Sequence, residues 1–299
     1  MATSPDTSSP DTSPARQDRQ RYGRWAVGRL LGQGSLGRVF LAHDATGRAA
    51  ALKVVHPGLA RDQEFRTRFA RELPAIGAVR GRRTAALVDA DPQGAAPWLA
   101  TEYVPGPTLA ERVRTADGPA LATTRTGPAE LFALVSALAE ALDDIHRAGL
   151  THGGLRPSNV LMAAAGPRVV DFGTAVGFVG GEGRAGYTAP ELLATQGVVA
   201  RPPSDVFSLG AVVAFAATGR DPFPTAGADP DLTDLPKELL PLVTACLATH
   251  PAARPAPRTV ARMAGLPLPG SRRRDLTLAK ALFLAQLAAA ASSLDGRWT

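Results

Sequence analysis

Four groups of residues along this 299-residue chain have the types and spacing for phosphate and metal chemistry. The first, Gly32-Gln33-Gly34-Ser35-Leu36-Gly37-Arg38-Val39, lies between two apolar runs that read as strands. Its glycines let backbone N–H groups lie close over phosphates with no Cβ in the way. A dinucleotide fold would need a helix N-terminus after those glycines, and a strand follows instead. Alone the turn is a weak signal, since many hairpins are glycine-rich. Fourteen residues past Val39, the second group Ala51-Leu52-Lys53-Val54 puts Ala51 and Lys53 on one face of a strand, and the next helical stretch offers Glu72. The third is the loop His152-Gly153-Gly154-Leu155-Arg156-Pro157-Ser158-Asn159, and the fourth, Asp171-Phe172-Gly173, stands twelve residues after Asn159. An amide oxygen and a carboxylate are both hard ligands, and converging across a short hairpin they suit Mg²⁺ bridging nucleotide phosphates. By itself Asp171-Phe172-Gly173 reads equally well as a turn.

Composition sharpens two of these positions. Of 33 basic residues only Lys53, Lys237 and Lys280 are lysines, and Asn159 is the single asparagine in the chain. A sequence that nearly always chooses arginine would be expected to place arginine at an ordinary strand position whose cation merely lies along the surface. The net charge of +6 is spread thinly, and the runs Arg80 to Arg83 and Arg272 to Arg274 are not interleaved with aromatics. They read as solvated faces, so no nucleic-acid partner is expected. Cys246 is the only cysteine, which excludes a disulfide framework and Cys-rich metal sites. Among apolar neighbours it reads as a packed thiol in a reducing, cytoplasmic setting.

The elements that must position these groups follow from periodicity. From Trp25 to about Tyr103 the pattern is mostly strand, with runs ending at Leu31 and spanning Arg38 to His43, Ala49 to Val55, Ala85 to Val88 and Trp98 to Tyr103. One helix interrupts it from Asp62 to about Val79, with Phe65, Phe69 and Leu73 at i, i+4, i+8. Helical periodicity dominates afterwards, in Leu131 to Ala148, Ser204 to Thr218 and Lys237 to Thr249, around a strand pair at Val160 to Met162 and Arg168 to Val170. The expected class is α+β, a small β-rich lobe followed by a larger helical lobe, joined near Glu102 to Gly106.

The ordered set of motifs resembles the bacterial eukaryotic-type (Hanks-type) serine/threonine protein kinases. It comprises the glycine-rich turn, Lys53, Glu72, the His152–Asn159 loop, Asp171-Phe172-Gly173, Ala189-Pro190-Glu191, Asp205 to Gly210 and Arg254, and the likeness covers about Tyr22 to Gly265. The resemblance implies a bilobal kinase-like domain at 21–265, with an N-lobe at 21–104 and a C-lobe at 105–265. It implies ATP and Mg²⁺ as ligands. Gly32, Gly34 and Gly37 would cover the phosphates, Lys53 would pair with Glu72 and hold the α- and β-phosphates, and Asn159 and Asp171 would hold Mg²⁺. Val39, Ala51 and Leu161 would sandwich adenine, and Thr101 would stand before a hinge, Glu102 to Val104, at the adenine edge. Asp205 would brace the catalytic loop, and Glu191 and Arg254 would form a structural ion pair.

Departures from the family pattern fall on the acceptor side. Where the family has His-Arg-Asp-Leu-Lys, this chain has His152-Gly153-Gly154-Leu155-Arg156, so the base position is Gly154. Losing a positioned base costs about 10²- to 10⁴-fold, or about 2.7 to 5.4 kcal/mol in the barrier. Gly153 removes an arginine that would read an activation-loop phosphate, and Ala175 to Gly186 contains no hydroxyl residue. No room for a substrate-docking helix is expected between Phe223 and Leu232, and Pro74 inside the Glu72 helix puts the Lys53–Glu72 pair in doubt. The expectation is therefore a pseudokinase, an ATP-binding and nucleotide-responsive regulatory module with an unidentified protein partner. The alternative is an active kinase that positions its substrate by Mg²⁺, Arg156 and proximity. A small-molecule phosphotransferase is a weaker third reading, since the loop from His152 to Asn159 also resembles that of the aminoglycoside type, which reads His-Gly-Asp and whose aspartate is likewise missing here.

The two ends complete the layout. Residues 1–20 repeat Ser-Pro-Asp-Thr-Ser in tandem with little to bury, and read as a disordered tail with no signal peptide. Residues 266–299 read as a basic linker and an apolar C-terminal helix. Between Asp275 and Leu294, six leucines and Phe283 contribute roughly −2 to −4 kcal/mol toward membrane insertion, while a central Lys280 opposes it by up to about 2.5 to 3.5 kcal/mol. A helix packed on protein is preferred to a span, with a peripheral place at the inner membrane as the other outcome.

Overall fold

The computed structural model describes residues 20–115, 127–173, 185–193, 199–223 and 228–265. Six antiparallel strands form the N-lobe sheet in the order β1-β2-β3-β4-β6-β5, where β1 is Arg21–Tyr22, β2 Trp25–Gln33, β3 Gly37–His43, β4 Ala49–Val55, β5 Leu87–Asp91 and β6 Trp98–Glu102. Period-two alternation divides the faces of β4. Ala50, Leu52 and Val54 pack with Trp25, Ala42, Trp98 and Ala100 in a small core of their own, leaving Ala51 and Lys53 on the opposite face.

After β4 come the short α1 (Pro57–Arg61) and then α2 (Gln63–Ala78), which buries Phe65, Phe69 and Leu73, the stripe predicted from spacing, together with Ile76. The Asp62 side chain caps α2 by accepting from the N–H groups of Glu64 and Phe65. Helix α2 continues through Pro74, which stands on its exposed side.

In the C-lobe, α3 (Leu109–Thr115) and α4 (Gly127–Arg147) precede the hairpin of β7 (Val160–Ala163) and β8 (Gly166–Val169). The short α5 (Pro190–Leu193) is followed by α6 (Pro202–Thr218), buried from Ser204 onward, and by α7 (Leu240–Cys246) and α8 (Pro257–Ala264). One large core joins α2 to α4, α6 and α7. Cys246 is fully buried in it, its thiol pushed up to about 12 by desolvation. The β-lobe followed by a helical lobe is the architecture expected.

Some elements differ from the periodicity. Strand β5 starts at Leu87 because the residues before it pair elsewhere. Ala85 N–H donates to Val169 O, and Val169 N–H donates to Arg83 O, so that segment joins the C-lobe hairpin. Helix α7 is confined to Leu240–Cys246, and α1, α3 and α8 are additional short helices. Between Phe223 and Leu232 no helix occurs among the described residues, and Asp231 N–H donates to Pro222 O across that connection. The N-terminal tail, the segment from Ala175 to Arg184 and the apolar C-terminal stretch lie outside the described residues. Among the described residues no helix is long and apolar enough to cross a membrane.

Candidate active site

Between the sheet and the β7–β8 hairpin lies a cleft of about 220 Å³. Its walls bring together Gly32, Gly34, Gly37 and Val39 from the turn, Lys53 from β4, Gly154, Arg156 and Asn159 from the loop, and Asp171. Register explains the upper wall, since Val39 faces Lys53 across β3–β4, while Ala51 faces Thr101 across β4–β6 on the same side but outside the residues that line the cleft. Directly opposed residues share a face, so all four lie on the side away from the small core. Gly37 allows this approach of strands, because a Cβ there would stand 1.9 Å from Val54 O.

Below, Leu161 bridges Thr108, and Met162 N–H donates to Pro107 O, which lays the lobe connection against β7. Gly106 is needed at that contact. It has φ 143°, and a Cβ would come 2.6 Å from Met162 O. Val104 is buried, while the Glu102 carboxylate pairs with Arg168 at 2.7 Å and its N–H donates to Ala86 O. Thr108 and Ser158 also line the cleft and were not singled out from sequence. A signal existed for Thr108: with Glu111 three residues on it forms a reciprocal capping box at the start of α3.

Lys53 is almost fully buried, and its Nζ lies 2.6 Å from Asp171 Oδ1. This corrects the expected pairing, because no Lys53–Glu72 ion pair occurs among the described residues. Glu72 is half-buried off the cleft wall, and its carboxyl is raised by desolvation against the lowering effect of Arg71 and Arg68. Desolvation also pushes the Asp171 carboxyl up, but the attraction and hydrogen bond of Lys53, helped by His152 and Arg156, hold it below the usual carboxylate value. Asp171 is the only non-glycine with positive φ among the described residues, at 65°, a region Asp tolerates better than most side chains.

The loop is braced from α6. Asp205, 1% exposed, accepts from His152 N–H and Gly153 N–H, both at 2.8 Å, and lies 2.8 Å from His146 Nε2. Asn159 Nδ2 donates to Gly154 O at 2.8 Å, which commits its nitrogen to the loop and leaves its oxygen as the ligand atom. The Asn159 oxygen and Asp171 carboxylate on one wall, with Lys53 beside them, fit a Mg²⁺ ion that takes its remaining ligands from phosphates and water.

Gly154 offers no group to this constellation. Its φ is not in the left-handed region, and a Cβ there would meet nothing within 4 Å, so a side chain is missing where one would fit. Among the described residues lining the cleft, Asp171 is the only carboxylate.

The sequence model of the family described as Protein kinase domain matches residues 25–264. The chain belongs to the protein kinase domain family. Similar curated proteins include the serine/threonine-protein kinase AfsK of Streptomyces griseus, 44% identical over 264 residues, or 80% of this chain and 31% of that protein. Another is the serine/threonine-protein kinase PknB of Mycobacterium leprae, 34% identical over 215 residues, or 67% of this chain and 33% of that protein. The chain thus spans about a third of the length of these relatives. Among solved structures, the PknI kinase domain of Mycobacterium tuberculosis superposes with a TM-score of 0.68 at 28% identity, covering 82% of this chain and 96% of that one.

Within the kinase domain a second polar centre lies away from the cleft. Arg254, with its side chain 0% exposed, binds Glu191 through two parallel bonds of 2.7 and 2.8 Å. Its other donors go to the carbonyls of Ala248, Pro203 and Thr249, and its guanidinium stands 5.1 Å from the Phe207 ring centroid. All five guanidinium N–H groups are thereby used.

Proposed function

We propose that this domain binds Mg²⁺-ATP beneath its glycine-rich turn and passes the γ-phosphate to serine or threonine hydroxyls of proteins, slowly, for want of a base at position 154. The relatives named as serine/threonine kinases support transfer, as does the cleft that gathers Lys53, Asn159 and Asp171. Family membership in the protein kinase domain favours protein acceptors over small molecules.

Each residue has a definable task. The turn would cover the phosphates, Lys53 would offer its ammonium to them while steadying Asp171, and Asn159 and Asp171 would supply oxygens to Mg²⁺, whose charge would offset that developing on the phosphate. Arg156, on the cleft wall, would offer a planar cation to the incoming acceptor. With no carboxylate at 154, the acceptor hydroxyl would lose its proton to water or a phosphate oxygen as its oxygen bonds phosphorus and ADP leaves.

The single observation that carries the low rate is Gly154 on the cleft wall. Kinases turn over at about 1 to 100 s⁻¹, and removal of a positioned base costs about 10²- to 10⁴-fold, so about 10⁻⁴ to 1 s⁻¹ is expected. The same observation favours a second reading, a nucleotide-responsive binding module with no transfer at all. Phosphate incorporation into a serine/threonine peptide separates the two when measured beside Lys53→Ala and Asp171→Ala. Slow transfer abolished by both substitutions supports the first reading. No transfer, with a melting temperature still raised by Mg²⁺-ATP, supports the second, and the absence of both effects removes the nucleotide from either.

A further inference from the structure

The turn over the cleft is held from behind by a residue with no part in the chemistry above. His56 follows the end of β4, three residues after Lys53. Its backbone N–H donates to Leu36 O at 2.9 Å, and its Nε2 lies 2.9 Å from Gly34 O. A carbonyl can only accept, so Nε2 carries the proton in this contact, as it does in both the neutral Nε2–H tautomer and the imidazolium. His56 also occupies the N-cap position of α1, yet its side chain makes no capping bond there.

The consequence for the turn follows from peptide planarity. A trans peptide points its C=O and N–H in opposite directions. Holding Gly34 O toward His56 therefore turns the N–H of Ser35 the other way, and holding Leu36 O does the same for the N–H of Gly37. Ser35, Leu36 and Gly37 all line the cleft. The remaining bond of the turn, Gly34 N–H to Gly37 O at 2.9 Å, closes it across its own ends.

We propose that His56 is a positioning residue for nucleotide phosphates, a two-point strap that fixes two peptide planes of the glycine-rich turn and ties them to the strand carrying Lys53. Glycines lose the most freedom on ordering, so a turn built on Gly34 and Gly37 gains most from being ordered before the ligand arrives. The inference rests on the nucleotide reading above and adds to it a residue that never touches the ligand.

Calorimetric titration of wild type, His56→Ala and His56→Gln with Mg²⁺-ATP and with adenosine tests it, since adenosine presents no phosphate to the turn. His56→Ala should weaken Mg²⁺-ATP by about two- to ten-fold, the worth of one net hydrogen bond, and leave adenosine affinity unchanged. His56→Gln, whose amide N–H can reach the same carbonyl, should recover most of the loss, and it carries the comparison should the alanine variant melt early. Equal Mg²⁺-ATP affinity in wild type and His56→Ala overturns the proposal, as does an equal loss for both ligands. Wild type that binds neither ligand overturns the nucleotide reading, and the strap with it.

Discussion

Gly154 has an ordinary backbone and open space where a Cβ would go, so the backbone and Cβ of an aspartate can be accommodated there without strain. The neighbouring Gly153 is different, because its φ of 68° favours glycine whatever the space. Charge matters as much as shape at other positions. Glu191→Ala would leave the Arg254 guanidinium buried without its carboxylate, and urea unfolding should show a loss of about 3 to 5 kcal/mol. Glu72 gives a pH-dependent test. Desolvation raises its folded pKa above the ordinary value of 4.5, so the native state holds that proton more tightly than the unfolded chain. The resulting contribution is present below the unfolded value and is lost as pH rises through the folded one. Glu72→Gln should therefore melt at a higher temperature than wild type at neutral pH, with the difference vanishing in acid. A variant that instead melts below wild type at neutral pH would show that Glu72 is paired rather than merely desolvated.

At the scale of elements, β3 and β4 hold the site together through a register that sets Val39 opposite Lys53. Gly37→Ala would drive a Cβ to within 1.9 Å of Val54 O. It should destabilise by more than the about 1 to 3 kcal/mol typical of overpacking, measurable by denaturant, and should weaken Mg²⁺-ATP binding because the turn shifts with the strand. The main strands and the buried stripe of α2 were legible in sequence, because alternation and i, i+4 spacing are local properties. The start of β5 was not. Ala85 looks like strand, but its partner Val169 lies in the other lobe, and such a contact leaves no periodic trace. Pro74 was readable as a threat to α2, yet its place on the exposed side lets the helix run on.

Across the whole molecule, the order of the motifs was enough to expect a bilobal kinase fold, because each motif has a fixed place along the chain. Lys53 and Asn159 could be picked out because this composition avoids lysine and asparagine elsewhere, and Asp171 by its place at the head of Asp171-Phe172-Gly173. Their partners could not. Which carboxylate Lys53 takes depends on how α2 and the Asp171 segment pack over β4, and the structure gives Asp171 rather than Glu72. The His56 strap was hidden for the same reason, since a side chain reaching back 22 residues to a carbonyl has no sequence signature. The central claim is that the fold keeps the nucleotide and lacks the base. Its most direct test is steady-state phosphate transfer to a serine/threonine peptide by wild type and Gly154→Asp, with Mg²⁺-ATP affinity measured for both. Retained affinity and a turnover raised about 10²- to 10⁴-fold by the aspartate is the predicted result. Wild-type turnover already within about 1 to 100 s⁻¹, and unmoved by the substitution, would contradict it.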